Sequence, residues 1–128
     1  MQTKIVIALA TTAVAIVAVA GPALAVPGYP VSGGWTYDNA SDPGPAKTCT
    51  GARIMTFEGI MRHDSVGSVA EFKNKSTIQS GAGLYRVVDT FYNGQTWGNV
   101  LYTLSLPDPD HIQINYATGG ALTLRRCP

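Results

Sequence analysis

The chain contains two histidines, and each is the direct neighbour of an aspartate, as His63-Asp64 and Asp110-His111. An imidazole beside a carboxylate can act as a general base with its orienting group, or supply two ligands of a metal site. On a strand, however, adjacent side chains point to opposite faces, so neither pair is preset to cooperate. His63 falls in an expected turn and Asp110-His111 at a turn-to-strand junction, and both pairs read as solvated turn residues. No nucleophile elbow, Walker loop, zinc-ligand spacing or carboxylate pair at fixed spacing occurs. Ser80-Gly81-Ala82-Gly83 is glycine-rich but precedes a strand pattern, so it lacks the helix N-terminus of a phosphate cradle. The expectation is a non-enzyme with no catalytic residue, no cofactor and no metal.

The first 25 residues carry an address. Lys4 supplies a positive charge, Ile5 to Ala20 is apolar apart from Thr11 and Thr12, Gly21-Pro22 breaks the run, and Ala23-Leu24-Ala25 offers small residues for cleavage. That order is a secretory signal peptide over 1–25, with an uncleaved anchor as the alternative. Cleavage after Ala25 would leave an arm over 26–32 and one domain over 33–128, periplasmic or secreted and not inserted in a membrane. The chain has nine Lys and Arg against eight Asp and Glu, and Lys4 leaves with the signal, so the mature charge balances. No like-charge run exceeds Arg125-Arg126. That excludes a basic face for nucleic acid and a basic helix for a membrane surface. In an oxidising compartment Cys49 and Cys127 read as one disulfide, with free or intermolecular thiols as the alternative.

The elements that must position these residues are strands. Period-two alternation recurs after residue 26, bounded by Gly, Pro, Asn and Asp. Val100, Tyr102, Leu104 and Leu106 share one face, and Ile112, Ile114 and Tyr116 share another, with Pro107 to Asp110 as the turn between. Ala121 to Cys127 follows Thr118-Gly119-Gly120. Gly83 to Tyr92 runs into Asn93-Gly94, a strong hairpin signal. Ser68 to Asn74 and Ala52 to Met61 are further strands, the latter with Met55, Phe57 and Met61 on one face. Gly33 to Asp38 is the first strand, Ala40 to Pro45 a loop, and Lys75 to Gly81 either a helical turn or a short strand. The predicted fold class is all-β: a small antiparallel up-and-down β-barrel of seven or eight strands, with a β-sandwich as the alternative.

Ser32-Gly33-Gly34-Trp35 at the start of the first strand, with Arg125-Arg126 on the last, resembles the lipocalin-type (calycin) signature. The resemblance implies that Gly33 and Trp35 take the motif positions, and that Arg125 or Arg126 stacks its guanidinium over the indole at the barrel mouth. In size, signal peptide, short arm and a cysteine before the second strand, residues 26–57 resemble the small bacterial calycins that inhibit serralysin-type metalloproteases. Those inhibitors carry their second cysteine nearer the first than Cys127 lies here. Ser80-Gly81-Ala82 with Tyr85 also resembles the Ser-Gly loop of periplasmic lysozyme inhibitors.

The function these features imply is that of an exported binding protein, with a secreted protease or other hydrolase as the partner. The arm residues Val26, Pro27, Gly28, Tyr29 and Pro30 are the expected contact segment, since two prolines lower the ordering cost of an extended chain. Preceding the first strand, the arm is expected to add little to stability. Trp97, on the hairpin tip Asn93 to Gly98, is the second expected contact, for a partner protein or a glycan. The alternatives are a small-ligand barrel and a structural envelope protein. Asn39 and Asn74 stand in glycosylation sequons.

Overall fold

The computed structural model describes residues 28–38, 44–46, 48–49 and 53–128. The signal-peptide region, Val26, Pro27 and the Asn39 sequon lie outside the described residues. Eight strands follow one another: β1 (Gly33–Tyr37), β2 (Ile54–Glu58), β3 (Met61–Asp64), β4 (Glu71–Gly81), β5 (Leu84–Tyr92), β6 (Trp97–Asp108), β7 (His111–Tyr116) and β8 (Ala121–Arg126). Each pairs antiparallel with the next, and β8 returns to β1, so the sheet is a closed up-and-down barrel. The sandwich alternative is set aside. Closure leaves no free strand edge in a sheet built from hairpins.

The inner face is the one the alternation marks. Val87, Tyr102, Leu104, Ile112, Ile114, Leu122 and Leu124 are buried together with Trp35, Met55 and Phe57. Two elements differ from expectation. Ala52 to Met61 is not one strand, because the chain reverses at Gly59 (φ 60°) and Met61 pairs back with Glu58. The reversal sets Met61 on the wall opposite to Met55 and Phe57, and gives Arg62, across from Phe57, the inward position. Likewise His63 is not in a turn; it lies within β3, paired with Thr56 and Glu71, and is exposed. The uncertain segment Lys75 to Gly81 extends β4, which carries a bulge between Asn74 and Ser76. Such a bulge shifts the pleat by one residue, so Asn74 points inward before it and Thr77, opposite Val87, after it.

The disulfide Cys49–Cys127 joins residues 78 apart in sequence. It passes over β1 at Gly34, where a Cβ would stand 3.2 Å from the Cys127 Sγ and 3.5 Å from the Cys49 Sγ. Alanine at position 34 would require the bridge to give by a few tenths of an ångström.

Candidate functional site

One mouth of the barrel is built from the arm, the start of β1, the β6–β7 turn and the end of β8. Trp35 lies at the middle of β1 with its indole turned inward and 2% exposed, its Nε1 donating to the Ser32 carbonyl at 3.1 Å. Arg126 is its register partner on β8. Arg125 points to the other face, where its Nε lies 3.7 Å from Asp38 and its backbone pairs with Thr36 and His111. Of the two arginines, Arg126 therefore shares the side of Trp35. Its guanidinium holds Asp110 in the β6–β7 turn. The guanidinium stacked on aromatic rings inside the barrel belongs instead to Arg62, 3.9 Å from the Phe72 centroid and 5.4 Å from that of Tyr102. Trp35 is thus buried beside Arg126, whose guanidinium, at the end of β8, pairs with the Asp110 carboxylate.

The arm is not a free extension of the barrel. The Gly28 amide donates to Asn74 Oδ1 at 2.8 Å, and the Tyr29 amide to the Gly59 carbonyl at 3.3 Å. The Tyr29 ring packs edge-on against Phe57, centroids 5.0 Å apart, and with Val31 joins the core. Its hydroxyl is buried with no hydrogen-bond partner among the described residues. Burial first, then the Asp89 charge, hold that phenol well above its ordinary range. The expectation that the arm is dispensable for stability is therefore corrected for Gly28 to Val31. Sequence position before the first strand says nothing about where an aromatic side chain packs.

Beneath the arm lies a charged network that the sequence reading did not single out. Asp89 is fully buried (0% exposed), and its Oδ2 accepts from Arg62 Nε and from the Tyr102 hydroxyl, both at 2.8 Å. Its Oδ1 accepts from Asn74 Nδ2 at 3.1 Å. Asn74, the residue that receives the Gly28 amide, thus links arm to network. Burial works against the charge on Arg62, but Tyr102 and Asp89 around it outweigh that and raise its pKa. On the other side Arg53 grips Asp64 with two bonds, at 2.9 and 2.7 Å, and Arg62 stands 3.9 Å from the same carboxylate. The buried charges Arg62, Asp64 and Asp89 are thus paired, with half-buried Arg53 completing the balance, as buried charge must be. The signal for this was present. Asp89 alternates with Val87 and Phe91 on a strand whose face is otherwise core, and an acid at such a position requires a cation opposite it. Asn74, buried at 4% and bonded on both sides of its amide, has no surface to offer a glycan.

The two histidines find different company. His63 and Asp64 face opposite ways, the first to solvent and the second into the network. His111 sits between Asp108, at 2.8 Å from Nδ1, and Asp38, at 3.4 Å from Nε2, rather than with its neighbour Asp110. The hydrogen bond from His111 and then the Asp110 amide pull the Asp108 pKa down. Among the described residues no three of His, Cys, Asp and Glu gather as a metal site. This mouth holds a cleft of about 580 Å³ walled by Tyr29, Pro30, Trp35, Leu106, Pro109 and Arg126. Trp97 lies elsewhere, on the outer wall, 71% exposed against Tyr92.

Comparison with family models, curated proteins and solved structures finds no match for the chain. The class therefore rests on architecture: a closed eight-stranded antiparallel barrel, consistent with a calycin-like fold.

Proposed function

We propose that this protein is an exported, non-enzymatic binding barrel whose partner docks at the arm mouth, and that the partner is a secreted protease or other hydrolase held inhibited. The observation that carries the reading is the pinned arm. Gly28 and Tyr29 are fixed to Asn74, Gly59 and Phe57, so any residue preceding Gly28 is joined to the barrel at the rim of the cleft. Prolines at 27 and 30 bracket that anchor. A short segment tethered to a rigid rim loses little freedom on entering a partner's active-site groove, while the cleft and the β6–β7 turn give the partner a surface to rest on. The calycin-type inhibitors of serralysin-like proteases, which the N-terminal region resembles, supply the partner class.

Binding inside the barrel is less well supported. The interior is occupied by Met55, Phe57, Arg62, Asp89, Tyr102 and Leu104, and a ligand there would have to break a buried ion pair.

The test uses mature protein beginning at Val26 against secreted metalloproteases of the source organism. Inhibition at micromolar concentration is expected, and deletion of Val26 and Pro27 should abolish it with the melting temperature unchanged. Proteases left fully active by the intact protein, or inhibited equally by the truncated one, would refute the proposal.

A further inference from the structure

Tyr92 ends β5 and Trp97 begins β6, and the two residues are register partners, so their rings stand together on the outer wall. Their centroids are 5.3 Å apart and their planes tilted by 45°, and they are 51% and 71% exposed. The turn between them is stiff. Asn93 Oδ1 accepts from the amides of Gln95 and Thr96, and the Tyr92 hydroxyl donates to the Gly94 carbonyl at 3.1 Å. Beneath, Gly98 leaves room for the Phe91 ring, since a Cβ there would lie 2.7 Å from it. The pair is thus held rigid in water rather than folded over the rim, which is where a large aromatic costs most if nothing ever covers it.

The surroundings say what covers it. A cleft of about 380 Å³ runs beside the rings, lined also by Met61, Glu71, Phe72, Lys73, Thr90 and Phe91. Lys73 and Thr90 are register partners, and Asn99 is the partner of Thr90 on its other side. An aromatic wall edged by hydroxyl, ammonium and carboxylate suits a ligand that is apolar on one face and hydroxylated at its edges. A pyranose ring has that form: its axial C–H bonds meet the negative face of an indole, and its equatorial hydroxyls reach donors and acceptors around it. Glu71 and Lys73 cancel in charge, which favours a neutral ligand over an anionic one. An apolar protein surface would strip water from both without replacing it.

We infer that the Tyr92–Trp97 wall, with Glu71, Lys73 and Thr90 at its edge, is a binding site for one or two sugar rings of a neutral glycan. The site shares no residue with the arm cleft, so it stands or falls independently of the inhibitor reading. Mature protein is titrated with cellohexaose, chitohexaose and maltohexaose, following the two tryptophan indole N–H signals by NMR. A saturable shift of the Trp97 signal with at least one of these sugars is expected at millimolar concentration or below, with buried Trp35 as the unmoved control. Trp97→Ala should weaken that binding about tenfold or more, the loss of one stacking contact, and leave the melting temperature unchanged. Trp97→Phe should keep most of the binding. No saturable shift with any of the three sugars overturns the inference, as does binding that survives Trp97→Ala. So does a Trp97 signal that answers only to a protein partner.

Discussion

Replacing Asp89 by Ala removes the acceptor of three buried donors at once: Arg62 Nε, the Tyr102 hydroxyl and Asn74 Nδ2. Arg62 is 2% exposed and would be left charged in the barrel interior, with Asp64 as its nearest remaining carboxylate at 3.9 Å. Breaking a buried pair from one side typically costs about 3–5 kcal/mol, because the orphaned charge is not resolvated. The unsatisfied Tyr102 and Asn74 groups overlap with that cost rather than add to it in full. We expect Asp89→Ala to lose about 4 kcal/mol, a large fraction of the 5–15 kcal/mol typical of a domain. Urea unfolding of the non-reduced protein, with the slope checked for constancy, gives the number. Replacing both partners with apolar residues, as in Arg62→Met with Asp89→Leu, should cost far less than Asp89→Ala alone. Because Asn74 joins the network to the arm, Asp89→Ala should also raise hydrogen exchange at the Gly28 amide. A loss below about 1 kcal/mol, the size of an ordinary surface substitution effect, would refute the view that this network is desolvated and mutually dependent. So would a double variant as unstable as the single one.

Further outcomes follow from single features of the barrel. The Cys49–Cys127 bridge closes a 78-residue separation, worth about 4–5 kcal/mol on the chain-entropy model; intact mass of non-reduced protein should show no free thiol, and Cys49→Ser with Cys127→Ser should lower stability by that order. Trp35→Ala should destabilise by about 3–5 kcal/mol as a buried aromatic truncation, with loss of near-ultraviolet dichroism; a variant melting like the parent would contradict its burial. Burial, first among the causes, raises the pKa of Tyr29, Tyr102 and Tyr116 above 10.0. The unfolded chain then ionises first, so their contribution to stability is complete below pH 10 and falls away as pH rises beyond it. Phenolate absorbance from these three should appear only together with loss of the folded dichroism; reversible titration of all six tyrosines in folded protein would oppose this.

The alternating strands and their turns were legible in the sequence because period-two burial is a local property. Each of Tyr102, Leu104, Ile112, Ile114, Leu122 and Leu124 needs only its own strand's pleat to be placed. The hairpin at Asn93-Gly94 followed from residue chemistry of the same local kind, the Cys49–Cys127 link from two cysteines in an oxidising compartment, and the burial of Trp35 from the calycin resemblance. Where a backbone reversal replaced one strand by two, the pattern misled. Glu58 to Met61 has no proline to announce its turn, so Met61 was placed with Met55 and Phe57.

The candidate site was legible only in part, and the reason is non-locality. The tie from Gly28 to Asn74 spans 46 residues and that from Arg62 to Asp89 spans 27. No periodicity in either segment specifies its partner. Sequence alone set the alphabet of the site: a Trp beside two glycines, prolines in the arm, an aromatic hairpin tip, a near balance of charge. Closure of the barrel decided which of those side chains meet. It turned Arg126 rather than Arg125 to the side of Trp35, folded Tyr29 onto Phe57, and buried Asp89 against Arg62. A buried charge must be paired by whatever the fold brings within reach, and that reach exists only once eight strands have closed on each other.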